Sequence, residues 1–158
     1  MQTVEKSGIE VAVVPKDITG AVQNGQYISL KNYNHLTIVI IQGAWAGGTP
    51  AVTLGQATAI AGTGAKALAM NNYWQKAGLT ASVFAKTAVV ANTFNLPATA
   101  NTVTVIEVDG EELDVANGFD CARVSIASPG ANADLLAVLY FLKEPRYNGS
   151  VLPDAKID

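Results

Sequence analysis

Hydrophobic and polar residues alternate with a period of two along several short stretches of this chain. Ile9, Val11 and Val13 alternate with Glu10 and Ala12, Ile28 and Leu30 with Tyr27, Ser29 and Lys31, and Val124 and Ile126 with Arg123, Ser125 and Ala127. That period marks a half-buried β-strand. Residues 36–41 and 135–142 are apolar on both phases, and are expected as interior strands covered on both faces. Between Val105 and Ile106 the apolar phase changes, with Val103 and Val105 on one face and Ile106 and Val108 on the other. A β-bulge there would reconcile the two halves. Residues 79–91 offer Leu79, Val83 and Phe84 as a helical face, but residues 83–90 also alternate and are read as strand.

Turn residues punctuate these stretches: Asn24-Gly25, Gly47-Gly48, Gly62-Thr63-Gly64, Asn71-Asn72, Gly110 and Pro129-Gly130. Such spacing, with no strong amphipathic helix between, predicts an all-β fold. The expected architecture is an antiparallel β-sandwich, jelly-roll-like. One short helical turn is predicted over residues 111–117, ended by Gly118. The predicted core is Val11, Val13, Ile28, Leu30, Ile38, Ile40, Val103, Val105, Val124, Ile126, Leu139 and Phe141. The 158 residues suit a single domain, with the sandwich over about residues 9–144. A polar N-terminal arm (1–8) precedes it, and a C-terminal arm (145–158) with two prolines and no strand pattern follows.

Charge changes the picture. From Ile18 to Ile106 there is no Asp and no Glu, and the only cations are Lys31, Lys66, Lys76 and Lys86. Charged residues make up 15% of the chain, against about a quarter in ordinary domains. A surface of Thr, Asn, Gln, Gly and Ala is cheap to desolvate compared with one bearing unpaired charges. It suits a protein that lies against other protein, and it lacks the carboxylates of acid–base and metal chemistry. The net charge of −3 argues against nucleic acid as a partner, which calls for a basic face. The longest apolar run, residues 135–142, is far short of the ~20 residues of a membrane helix. The start, MQTVEKSGIEVAVV, lacks the basic and apolar regions of a secretory signal.

Few residues invite a chemical reading. Gly62-Thr63-Gly64-Ala65-Lys66-Ala67 fits a loose dinucleotide fingerprint, but the acid needed about 20 residues on is missing, so a hairpin turn is expected. Residues 109–120 have the length of a calcium loop in the wrong register, since Leu113 holds its fifth position and Asp114 its sixth. Asp109, Glu111 and Asp114 remain as donors for an irregular cation site, against the plainer reading of an acidic helix start. His35 and Cys121 would make a thiolate pair only if the fold joined them, and each reads better as a turn histidine and a buried thiol. No catalytic residue, metal ligand or cofactor is therefore assigned, and the chain is not expected to be an enzyme. Trp45, Tyr73 and Trp74 are candidate interface anchors, because Trp and Tyr concentrate in contact hot spots. Ile9, which opens the strand-like stretch after the N-terminal arm, and Val151 and Leu152 of the C-terminal arm are added, because such segments could join a partner's sheet edge. If Trp45 or Trp74 stood exposed beside polar groups, the alternative would be a carbohydrate-binding module of a virion or secreted protein.

Five runs, YISLKNYNHL (27–36), QGAWAGGTPAVTL (42–54), GTGAKAL (62–68), NTVTVIEVDGEELDVANGF (101–119) and ASPGANAD (127–134), together resemble the capsid decoration, or cement, proteins of tailed bacteriophages. The resemblance covers about residues 5–147. It implies a β-rich protein, made in the host cytoplasm, that binds the outside of an assembled virion shell and stabilises it. It also implies the major capsid protein as partner and self-association as a homotrimer at local three-fold positions. It brings no catalytic residues.

Overall fold

The computed structural model describes residues 6–147 and 152–158. Among these described residues twelve strands form: β1 (Gly8–Asp17), β2 (Gln23–Asn24), β3 (Ile28–Ser29), β4 (Tyr33–Trp45), β5 (Ala51–Ala57), β6 (Lys66–Leu68), β7 (Asn72–Lys76), β8 (Ala85–Ala88), β9 (Thr93–Asn95), β10 (Val103–Asp109), β11 (Cys121–Ile126) and β12 (Asp134–Pro145). Among the described residues there is no α-helix. Two 3-10 turns, Gly110–Glu112 and Val115–Asn117, occupy the predicted helical turn. Gly118 ends it with φ of 81°, a left-handed conformation that glycine adopts without steric penalty.

The strands build two antiparallel sheets. The first has the order β1-β12-β4-β10-β7-β8, and the second β2-β11-β5-β6, with β3 also on β11 and β9 also on β5. The pairing is nested: β1 with β12, β2 and β3 with β11, β4 with β10, and β5 with β6. A long hairpin rolled onto itself pairs in this way, so the sandwich is a jelly roll, as predicted. The β7–β8 hairpin widens the first sheet.

The core lies between the sheets. Ile28, Leu30, Leu36, Ile38, Ile40, Val52, Leu54, Ile106, Val124, Ile126, Leu136, Val138, Tyr140 and Leu142 are all buried there. Each such aliphatic side chain contributes about 1.5–3 kcal/mol by leaving water. Tyr140 also ties the layers together. It belongs to the first sheet, and its Oη accepts a hydrogen bond at 2.9 Å from the backbone N–H of Val124 in the second. Gly25 makes room for that hydroxyl, because a Cβ at this position would overlap Oη. Burial pushes the Tyr140 phenol pKa upward, so the tie stays neutral.

Five predicted core residues face the other way. Val11 is exposed, and Val103, Val105, Leu139 and Phe141 are only half-buried on the outward face of the first sheet. The reason lies in β10. Its pairing with β4 runs without interruption from Val103 to Asp109, so the predicted bulge does not exist. The inward phase is Thr102, Thr104, Ile106 and Val108, all buried. The two threonines are affordable because Thr102 Oγ1 donates to Thr99 O at 3.0 Å and Thr104 Oγ1 accepts from Gln75 Nε2 at 3.0 Å. On β12 the inward phase is Leu136, Val138, Tyr140 and Leu142. A register shift between Val11 and Val13 turns Val13 inward and leaves Val11 outside. Residues 36–41 and 135–142 are therefore covered on one face only. Of residues 79–91, only Ala85–Ala88 are strand, and all four are exposed.

The two ends bear on the rest. Gly8 pairs with Leu142, so the sheet edge begins inside the predicted N-terminal arm. Residues 1–5 and Val151 lie outside the described residues. Residues 152–158 run along the sandwich and bridge both sheets. Ser29 N–H donates to Ala155 O at 2.8 Å, Tyr33 Oη to Pro153 O at 2.6 Å, and Ile60 N–H to Asp158 Oδ1 at 2.7 Å. Lys156 pairs with Glu10 at 2.8 Å, and Ala155 is buried.

Candidate functional site

The residues with chemical potential are kept apart. His35 stands at one end of β4, where its Nδ1 lies 2.6 Å from Asp109 Oδ1 and its Nε2 3.7 Å from Glu107 Oε1. Cys121 belongs to the other sheet and is buried with Tyr27 and Ala57. Burial, then the neighbouring Asp120, pushes its thiol pKa up to about 12, the reverse of what a nucleophile needs. Asp114 binds Lys66 and the Asn117 amide, and these partners hold its carboxyl below the ordinary range. The Glu112 carboxylate turns back to accept from Asp109 N–H at 3.1 Å. Asp109 and Asp114 thus answer to different partners, and Glu111 is exposed. Among the described residues no three His, Cys, Asp or Glu converge as metal ligands. Gly62 and Gly64 have φ of 84° and 64° in the turn between β5 and β6. There Thr58 N–H donates to Thr63 O at 3.0 Å, a turn that needs no ligand.

The candidate anchors divide between inside and outside. Trp45 packs against the core, and its indole N–H donates to Gly48 O at 3.1 Å. Tyr73 also packs inward, stacked on Phe94 with ring centroids 3.9 Å apart. Trp74 and Ile9 lie on the outward face of the first sheet, with Lys86 Nζ 5.1 Å from the Trp74 ring. Leu152 is half-buried in the returning C-terminal segment.

What the chain offers a partner is two broad faces of different chemistry. The outward face of the first sheet is apolar. One row crosses all six strands as Val11, Leu139, Val39, Val105, Trp74 and Lys86. The row on one side holds Ile9, Phe141, Thr37 and Glu107, and the row on the other Ala137, Ile41, Val103 and Lys76. Beyond these a hollow of about 430 Å³ is lined by Pro15, Lys16, Ile41, Gly43, Leu135 and Ala137. The signal for this face was present in the both-phase apolarity of β4 and β12, which was read as two covering layers where the chain supplies one.

The second sheet contains no Asp or Glu in any of its strands. Its outward face carries hydroxyls, amides and small residues. One row runs Asn24, Ser125, Thr53 and Thr93, and the next Arg123, Gly55 and Ala67. Arg123 lies over the Tyr27 ring, 4.6 Å from its centroid. Beside it a shallow groove of about 340 Å³ is lined by Tyr27, Thr53, Gly55, Lys66, Arg123 and Ser125. Asn24, Thr53, Gly55, Ala67 and Thr93 of this face come from the acid-free window of the sequence, and Arg123 and Ser125 from β11 beyond it.

No family model matches the chain, and no curated protein matches it. Among solved structures, it is similar to the SPBc2 prophage-derived protein YomS, with a TM-score of 0.45, 8% identity, and coverage of 85% of this chain and 92% of that one. It also aligns with the VP2 subviral particle of infectious bursal disease virus, with a TM-score of 0.23, 11% identity, and coverage of 89% of this chain and 42% of that one. At such scores and identities neither likeness carries an argument about function.

Proposed function

We propose that this chain is a structural component of a tailed-phage virion, a decoration protein that lies on the outer surface of the capsid and stabilises it. Its partner in this reading is the major capsid protein, and it works without turnover or cofactor. The carrying observation is the acid-free outward face of the second sheet. Hydroxyl and amide groups such as those of Thr53, Thr93, Asn24 and Ser125 exchange water for partner groups at low cost, whereas buried unpaired carboxylates would not. The sequence resemblance to decoration proteins points the same way. A lattice presents its sites in repeating arrays, so copies linked to one another gain affinity without new contacts.

The test is to mix the purified chain with empty capsids of the phage that encodes it and to sediment the shells. The chain is expected to co-sediment at a saturable ratio and to raise the temperature at which the shells come apart. If the shells bind none of it and melt unchanged, the proposal fails.

A further inference from the structure

The outward face of the first sheet is a surface that shell binding through the second sheet leaves without a role. Its central row spans six strands, about 24 Å at ~4.8 Å per strand, and the three rows that such a pair would match, ~6.8 Å apart, give a projected area on the order of 300 Å². Side-chain relief makes the accessible area larger, toward the ~600 Å² per partner at the lower end of stable complexes. Ile9, Val11, Ile41 and Leu135 are 39–47% exposed on this face. An exposed apolar patch of a few hundred Å² is often functional.

We infer that this face packs against the same face of a second copy, across a two-fold axis that lies between the sheets and perpendicular to the strands. Flat sheets stack face to face at about 10 Å, and a self-complementary face closes as a pair, whereas a ring of three uses two different patches. The choice of axis follows from the rows. An axis along the strands would set Phe141 of one copy over Glu107 of the other, because β12 and β10 flank β4 on opposite sides. A carboxylate would then be buried against a ring, which is costly. The perpendicular axis exchanges the two flanking rows instead. Phe141 then drops toward Ala137 of the other copy, into the hollow floored by Gly43. Glu107 arrives over Val103, one strand away from Lys76, which pairs with Val103 on β7. Knob meets hollow, and acid meets base at the rim.

No capsid enters the experiment, so its outcome is independent of shell binding. Sedimentation velocity on the full chain at tens of micromolar is expected to give twice the chain mass. Val39→Glu puts two carboxylates together at the axis, and is expected to give a monomer with an unchanged far-ultraviolet dichroism spectrum. Glu107→Lys and Lys76→Glu are each expected to weaken the pair about tenfold, and the double variant to restore it. Val39 is only half-buried, and the charge-reversal positions are at the rim, so these variants keep the core. A monomeric wild-type chain overturns the inference, as does a trimer, or a dimer indifferent to Val39→Glu. Failure of the double variant to recover overturns the assigned axis.

Discussion

Tyr140 shows how much one side chain carries here. Its ring fills the core and its hydroxyl satisfies a backbone N–H of the opposite sheet. Tyr140→Phe leaves the Val124 N–H buried without a partner, and is expected to cost about 1–3 kcal/mol in denaturant unfolding. Gly25→Ala drives a methyl into the same hydroxyl and is expected to cost about 1–3 kcal/mol as overpacking. Cys121 gives a chemical check. With its pKa raised to about 12 by burial and Asp120, the native thiol is expected to react slowly with a disulfide reagent at pH 8, and at full rate in denaturant. The linkage has a definite sign. The folded state holds this proton more tightly than the unfolded one, whose thiol titrates near 9.0. The stability contributed by the protonated thiol is full below pH 9 and is lost as pH rises from there toward 12. Unfolding midpoints for the wild type and Cys121→Ala should converge across that window.

At the scale of elements, β10 and the C-terminal segment are the instructive cases. The alternation in β11 was legible because Ala122, Val124 and Ile126 are the inward set and its outward set is polar. In β10 the same rule misled, because Thr102 and Thr104 take inward places with their hydroxyls satisfied locally, while Val103 and Val105 go outward. Polarity reports burial only when polar groups lack a partner inside. In β4 and β12 both phases are apolar, and nothing in one chain's pattern says whether the second phase meets its own layer or another molecule. The short strand β8 has no inward contrast at all. The candidate anchors Trp45, Tyr73 and Trp74 are not separable in the sequence, since aromatic identity does not reveal the side of the sheet; the register places Trp74 outward, with Tyr73 and Trp45 inward. The C-terminal return was hidden because its hydrogen bonds to Ser29, Tyr33 and Ile60 are long-range and each engages a backbone group. Deleting residues 152–158 removes three such hydrogen bonds and the buried Ala155. It is expected to cost about 2–4 kcal/mol, at roughly 1 kcal/mol per bond plus the lost packing, seen as a lower midpoint in thermal unfolding.

For the whole molecule, the two sheets turn different chemistry outward. The first turns an apolar face outward, suited to a second copy, and the second turns an acid-free polar face outward, suited to a shell. The acids gather at the ends of the chain and around the end of β10, where Glu107, Asp109, Glu111, Glu112 and Asp114 stand. This separation of chemistry by face is the basis of the proposed assembly role. It also predicts that one charge placed on the second sheet will matter more than its size suggests. Thr53 is exposed at the centre of its row, between Ser125 and Thr93, so Thr53→Glu leaves the core alone and ends the freedom from acid. The most direct measurement is the amount of Thr53→Glu chain that co-sediments with empty capsids, beside the wild type at equal concentration. The account predicts saturable binding of the wild type and at least a tenfold loss of affinity for the variant, on the order of 1.4 kcal/mol or more, with an unchanged melting point of the free chain. Equal binding of both would show that the acid-free face does not meet the shell, and would contradict the account.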